Sequence, residues 1–376
     1  MARSIKSGKQ TEEGEMTKQV NCGGVLIGGG APVSIQSMTN VDTRDEKALL
    51  RQINELEQAG CQIVRVTVPD DQAADSFSRV RKKTDMPLVA DIHFDYRMAL
   101  RAIEAGADKI RINPGNIGGP DKLKLVVDAA RKRNIPIRVG VNSGSLEKDL
   151  VAKYGKVTAK GLAESAVRTL KLIEDMDYDQ LVLSVKSTDV RMTYDCHMLL
   201  RDMTDYPLHI GITESGTPEN GIIKSAVGIG ALLMAGIGDT VRVSLTTDPV
   251  EEVRVARKIL EAIGLRKKII DIVSCPTCGR TQVDLIGMAN RAETALAPIT
   301  ARRQSLGLRP LKVAIMGCVV NGPGESRDAD YGIAGGKGQG LVFAGGQVIE
   351  TLPEDRLIDR LVELITEDTE REIKDR

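Results

Sequence analysis

The chain has 376 residues, with 52 basic and 52 acidic side chains, so no net charge draws it to nucleic acid or an anionic membrane. Aromatic residues make up 2%, with no Trp, which leaves few stacking platforms for single strands, and no apolar run is long enough to span a bilayer. The length suits one large domain and a small one.

Residues 1–18 are polar and charged without an apolar centre, the pattern of a disordered tail and not of a secretory signal, and either Met1 or Met16 suits as the start. Without an export signal, the six cysteines fit a reducing cytoplasm better than disulfides. Cys22, Cys61 and Cys196 have no motif partners and read as small packing residues. Gly28-Gly-Gly-Ala31 lacks the Lys-Ser/Thr of a phosphate loop and reads as a turn.

Within a domain expected over residues 19–266, the chain from Pro32 to Thr247 repeats one unit, an apolar β-rich run followed by a helical pattern. Strands are predicted at 33–38, 63–68, 88–94, 109–113, 135–141, 181–186, 208–213 and 240–245. Helices are predicted between them, among others at 46–59, 97–105, 122–133, 159–174 and 250–263. Strict alternation implies a parallel sheet, and the fold class expected is α/β, a (β/α)8 TIM-type barrel; an open doubly wound sheet is the alternative.

The barrel is favoured by where the polar residues fall. In such a fold the strand ends gather at one mouth, where active sites are built. Here they carry Arg65, Asp91 and His93, Arg111 and Asn113, Arg138 and Asn142, Lys186, Thr213 and Glu214, and Arg242 and Ser244. Several pairs are spaced i, i+2, so both side chains share one face. Arg65, Arg111, Arg138, Lys186 and Arg242 outnumber the acids Asp91 and Glu214, although a structural ion-pair network is the alternative. Forked guanidinium donors match phosphate oxygens, so a small phosphorylated substrate is expected. His197, in a helical stretch beside Cys196, reads as a packed or exposed residue and not as a catalytic one.

From residue 267 to 376 the rhythm changes to a small α+β unit. A strand at 268–273 leads into Cys275-Pro-Thr-Cys278, and a helix follows at 283–297. A strand at 312–316 delivers Cys318; glycine-rich loops at 332–340, a strand at 341–344 and a last helix at 354–365 complete the unit. Two thiolates in a CxxC turn can hold one metal centre, which a distant third closes. Cys318 has no fourth cysteine nearby, only Glu325, and Gly322-Pro-Gly324 allows the backbone to wrap closely. Three sulfurs and one displaceable oxygen point to an iron–sulfur cluster with a labile iron; structural zinc is the alternative. A thioredoxin-type pair would need no third cysteine.

Several long motifs occur in order: Val33-Ser-Ile-Gln-Ser-Met-Thr-Asn40, Ala90-Asp-Ile-His-Phe-Asp-Tyr96, Arg111-Ile-Asn-Pro-Gly-Asn-Ile117, Gly140-Val-Asn-Ser-Gly-Ser-Leu-Glu-Lys-Asp149, and the two cysteine motifs. With them the chain, from about Lys18 onward, resembles the bacterial 4-hydroxy-3-methylbut-2-en-1-yl diphosphate synthases of the non-mevalonate isoprenoid pathway, in their two-domain form. The resemblance implies reductive opening of 2-C-methyl-D-erythritol 2,4-cyclodiphosphate by two electrons passed singly through a [4Fe–4S] cluster, fed by flavodoxin or ferredoxin. It implies cluster ligation by Cys275, Cys278, Cys318 and Glu325. It also implies substrate contacts at Arg65, Arg111, Arg138 and Lys186, with Asp91, Asn113, Asn142, Glu214, Arg242 and Ser244 lining the pocket. Glu214 is expected to handle protons near the departing hydroxyl. The resemblance further implies a head-to-tail homodimer in the cytoplasm.

Overall fold

A hairpin of short strands comes first among the described residues. In the computed structural model, which describes residues 16–318 and 327–376, β1 (Val20–Cys22) pairs antiparallel with β2 (Val25–Ile27). Gly23 and Gly24 turn it at φ of 57° and 95°, where a side chain would be strained. The Thr17 hydroxyl donates to Asp239 at 2.8 Å and the Lys18 N–H to the Asp205 carbonyl at 2.7 Å, so these two residues of the expected tail are held by hydrogen bonds. The rest of that tail, residues 1–15, lies outside the described residues. Gly28, Gly29 and Gly30 all take positive φ and form a turn.

The chain divides into two units, Met1–Arg266 and Lys267–Arg376. In the first, β3 (Ser34–Met38), β4 (Ile63–Thr67), β5 (Leu88–Asp91), β6 (Lys109–Ile112), β7 (Ile137–Asn142), β8 (Leu181–Lys186), β9 (His209–Ile210) and β10 (Thr240–Val241) form one 8-stranded parallel sheet. Its ends meet at a parallel bridge between Leu183 and Leu208, which closes the barrel. The last two strands are shorter than the sequence predicts. A Cβ at Gly211 would lie 2.3 Å from the Arg242 carbonyl oxygen, so here the backbones cross closely instead of running on as a ladder.

Helices alternate with the strands: α1 (Glu46–Gln58), α2 (Asp71–Arg81), α3 (Tyr96–Glu104), α4 (Pro120–Arg133), α5 (Lys148–Tyr154), α6 (Ala159–Glu174), α7 (Val190–Arg201), α8 (Pro218–Met234) and α9 (Pro249–Ala262). Asp45, Asp70, Asp95, Thr158, Asp189 and Asp248 cap six of them by accepting from first-turn N–H groups. Their apolar faces pack on the outward face of the sheet in one continuous core. Cys196 and His197 on α7 are both buried, and the His197 Nδ1–H donates to the Thr193 carbonyl at 2.8 Å.

Inside, the barrel is apolar only at its floor, where Val20, Cys22 and Ile27 of the hairpin meet Ile63, Val89 and Val182. Ile63, Val89 and Val182 are the Cα partners of Gln36, Lys109 and Arg138, so polar side chains begin beside this cluster, and polar groups gather toward the mouth. That departure from an apolar barrel core places the site.

The second unit carries a 5-stranded sheet in the order β11 (Ile270–Ser274), β12 (Leu311–Met316), β13 (Tyr331–Gly335), β14 (Gln339–Ala344), β15 (Gln347–Pro353). The first three run parallel and the last two join antiparallel. Helices α10 (Leu285–Ser305) and α11 (Leu357–Lys374) supply the apolar faces that pack with it. The segment 332–340, expected as loop, contains β13 and the start of β14. Its glycines make room for side chains: a Cβ on Gly332 would lie 2.3 Å from the Phe343 ring, and one on Gly335 2.4 Å from Val283.

Candidate active site

At the C-terminal ends of the barrel strands, Asp91 is the anionic centre. It is 1% exposed, and its carboxylate lies 3.2 Å from the Arg111 guanidinium, 3.7 Å from Arg65 and 3.6 Å from His93. Register explains the first contact, since Asp91 and Arg111 are Cα partners on adjacent strands and their side chains point to the same side. Burial alone would raise the Asp91 pKa; Arg65 and Arg111 outweigh it and hold the carboxyl below its usual value. Arg65 also lies against the Met38 sulfur, 3.1 Å from its Nε, a weak acceptor.

Arg138 and Lys186, buried on β7 and β8, have no acid within ion-pair distance among the described residues. Lys186 Nζ lies 3.3 Å from His209 Nε2. Burial first, and then the neighbouring cations, push the pKa of both Arg138 and Lys186 well down. Arg242 is paired with Glu252 of α9 at 3.5 Å, and Glu252 also accepts from the Leu245 N–H at 2.8 Å. Sequence reasoning did not find Glu252, because nothing in helix α9, which starts eight residues past the end of β10, marks one of its acids as facing Arg242.

The other expected residues occupy the same rim. His93 is exposed; Asn113, Asn142, Thr213 and Ser244 are half-buried. The Asn113 side chain accepts from the Gly115 N–H at 3.1 Å, which fixes the turn after β6. Glu214 is exposed and holds φ of 51°, the left-handed conformation that is unusual outside glycine. No ion pair joins Glu214 to these cations among the described residues; Asp91 pairs with Arg65 and Arg111, and Glu252 with Arg242. The surplus of positive charge at the mouth stands.

In the second unit, Cys275 follows β11 directly and Cys318 follows β12 by two residues. These strands are parallel neighbours, with Ser274 opposite Ile315, so both cysteines emerge at one end of the sheet. The Gly317 N–H donates to Cys275 Sγ at 3.2 Å, and the Gln282 N–H donates to the Gly317 carbonyl at 3.2 Å. Cys278 is exposed, its N–H donating to the Thr281 hydroxyl at 3.0 Å. The Arg280 N–H and guanidinium draw the Cys278 pKa down, toward thiolate. Among the described residues no three His, Cys, Asp or Glu side chains converge on one point. Glu325 and the Gly322-Pro-Gly324 turn lie outside the described residues.

The donor chemistry suits an iron–sulfur group. Sulfurs stand at the ends of adjacent strands, a backbone amide is aimed at one of them, and one thiol is biased toward its anion. Gly317 adds a close approach, since a Cβ there would meet Thr281 Cγ2 at 3.0 Å.

Comparison with known proteins gives the same division. Residues 17–257 match the GcpE TIM-barrel domain and residues 271–367 the GcpE protein C-terminal domain. A 4-hydroxy-3-methylbut-2-en-1-yl diphosphate synthase (flavodoxin) of Geobacter sulfurreducens is 54% identical over 346 residues, covering 92% of this chain and 96% of the relative. The protein of the same name from Clostridium acetobutylicum is 52% identical over 92% of this chain and 97% of the relative. That from Caldanaerobacter subterraneus subsp. tengcongensis is 51% identical over 93% and 97%. With both units matched and identity above one half along nearly the whole chain, this protein belongs to the GcpE family.

Proposed function

We propose that this protein is a 4-hydroxy-3-methylbut-2-en-1-yl diphosphate synthase: it takes 2-C-methyl-D-erythritol 2,4-cyclodiphosphate, breaks one ring C–O bond, releases a hydroxyl as water, and yields the linear allylic diphosphate. The two electrons come from reduced flavodoxin, as the names of its relatives state for them. The observation in this chain that carries the reading is the set of cations at the barrel mouth, Arg65, Arg138 and Lys186 buried and Arg111 and Arg242 half-buried, which Asp91 and Glu252 neutralise only in part. A diphosphate supplies the missing negative charge, in the bidentate geometry that guanidinium groups favour.

Cys275, Cys278, Cys318 and Glu325 would hold a [4Fe–4S] cluster. When bound, it supplies electrons one at a time and an iron that is open to oxygen ligands. The residues of the barrel do the rest. Arg65 and Arg111, held in place by Asp91, grip phosphate oxygens, and Arg138 and Lys186 stabilise the charge that grows as the ring opens. Asn113, Asn142, Thr213, Ser244 and His93 orient the carbon skeleton by hydrogen bonds. Glu214, on the rim, delivers a proton to the departing hydroxyl. The active assembly is a head-to-tail homodimer, each cluster unit capping the partner's barrel, and it works in the cytoplasm. No helix among the described residues is long and apolar enough to cross a membrane.

The alternative that the cysteine spacing left open, a zinc-stabilised phosphate-binding protein without redox chemistry, finds no support in the relatives. The test is anaerobic incubation of the reconstituted protein with reduced flavodoxin and the cyclodiphosphate. The linear diphosphate should appear by mass spectrometry, with iron and acid-labile sulfide in the protein. Zinc in place of iron and an unchanged substrate would sink the proposal. A fully active monomer in sedimentation and assay at the same concentration would refute the dimer.

A further inference from the structure

Below the mouth, the barrel interior holds a second set of polar groups that, apart from the Arg138 guanidinium whose Nε and Nη1 edge reaches it, the reaction does not use. Strand parity and register place it. Gln36 lies two residues before Met38, which touches Arg65, and Lys109 lies two before Arg111. Ser34 is the Cα partner of Thr240, and Thr240 that of His209, whose other ring nitrogen meets Lys186. Lys109, His209, Ser34 and Thr240 are all 0% exposed, and Gln36 and Arg138 are 1% exposed.

These side chains lack partners. Lys109 Nζ, His209 Nδ1, both amide atoms of Gln36, Arg138 Nε and Nη1, and the hydroxyls of Ser34 and Thr240 have no hydrogen-bond partner among the described residues. Native interiors leave few polar groups unpaired, and an unpaired buried cation is costly. The groups around Lys109 serve it only weakly, the Cys22 sulfur being a poor acceptor within its reach. The Asp108 carboxylate accepts from the Leu88 N–H at 2.8 Å and pairs with Arg81, and the Cys22 thiol beside it is kept protonated by burial.

Donors exceed acceptors in this layer. Lys186 donates to His209 Nε2, which leaves the ring proton on Nδ1 as a further donor. Lys109, Arg138 and the Gln36 amide nitrogen add more, against one amide oxygen and two hydroxyls that can themselves donate. Charge runs the same way. Arg65, Lys109, Arg111, Arg138, Lys186 and Arg242 face inward against Asp91 and Glu252. A cyclic diphosphate carries one charge per phosphorus and leaves the interior positive. Water offers as many donors as acceptors and adds no charge; an acceptor-only anion meets both needs.

We propose that the closed lower half of the barrel is a binding site for one small inorganic monoanion of the halide class, held by Lys109, Arg138, the His209 Nδ1–H and the Gln36 amide, and separate from the diphosphate site above it. Its role is to offset the charge surplus under the substrate.

Crystals of the full-length protein grown without halide, then soaked in sodium bromide, test this by anomalous diffraction at the bromine edge, with and without inorganic pyrophosphate. The expected result is one bromide peak bounded by Lys109, Arg138, His209 and Gln36, unchanged by pyrophosphate. No peak, with ordinary water density there, would overturn the site. A peak that pyrophosphate removes would assign these atoms to the substrate site and overturn its separateness. In solution, chloride should raise the melting temperature relative to gluconate at equal ionic strength, with saturation. Lys109→Met should abolish that dependence, and Gln36→Leu should weaken the halide midpoint at least threefold, which serves if the first variant does not fold. Equal halide dependence in wild type and a folded variant would refute the ligand set.

Discussion

The Gly317 N–H points at the Cys275 sulfur from 3.2 Å, and this one bond ties the turn after β11 to the turn after β12. Both cysteine motifs are thereby held at one end of the sheet before any group binds.

Gly317→Ala tests that tie. The added Cβ would meet Thr281 and Leu285 at 3.0 and 3.1 Å, and must push one of them aside. Overpacking of this size costs about 1–3 kcal/mol. The expected outcome is a folded protein whose iron and acid-labile sulfide per chain fall to less than half after reconstitution, while the far-UV circular dichroism is unchanged. Full iron content would show that the approach is not needed.

Asp91→Asn removes the carboxylate that Arg65 and Arg111 share. Breaking one side of a buried ion pair typically costs about 3–5 kcal/mol, because the cations are left uncompensated. A lower melting temperature is expected, partly restored by inorganic pyrophosphate in the variant more than in wild type. The sign with pH follows from the depressed pKa: the folded state binds this proton more weakly than the unfolded one, so the Asp91 contribution is present at neutral pH and is lost as pH falls through and below the ordinary carboxylate range.

His197 gives an acid-sensitivity at higher pH. Burial lowers its pKa from 6.5 to about 4, the Thr193 carbonyl opposing and Lys186 adding to the effect. The unfolded chain takes up the proton first, so stability falls as pH drops from about 6.5 toward 4. At pH 5 the loss from this group is about 2 kcal/mol. His197→Leu should therefore show a smaller drop in urea midpoint between pH 7 and pH 5 than wild type. His209, buried and also pushed well down, keeps part of the drop in place. An identical drop in both proteins would exclude the His197 contribution.

Glu214→Gln keeps the backbone and size of the rim residue and removes its proton. If Glu214 acts as the acid, turnover should fall by roughly 10²–10⁴ while substrate binding and iron content hold. Its left-handed φ of 51° provides a control, since Glu214→Gly relieves the backbone and should be at least as well folded, yet equally slow. Wild-type turnover in either variant would end the proton-donor role.

Much of the site was legible because the barrel writes its mouth into the strand ends. Alternation along β5 and β6 sets Asp91 and Arg111 on one face, and the repeat length sets those strands side by side. What escaped has physical causes. Strand β13 looked like loop because Gly332 and Gly335 stand where Phe343 and Val283 need the space. Glu252 reaches Arg242 from a helix, a contact between elements that no local pattern records.

The sequence by itself determined the order of elements, the inward parity of the strand-end cations and the pairing of a CxxC turn with a later cysteine, because period, turn chemistry and spacing are local properties of a chain. Only the tertiary structure decided which acid neutralises which base, and that Lys109 Nζ, His209 Nδ1 and the Gln36 amide are buried in the barrel without a hydrogen-bond partner among the described residues. Those facts depend on register between strands and on which helix packs behind them, and such distances are set by the closure of the whole barrel and not by any segment within it.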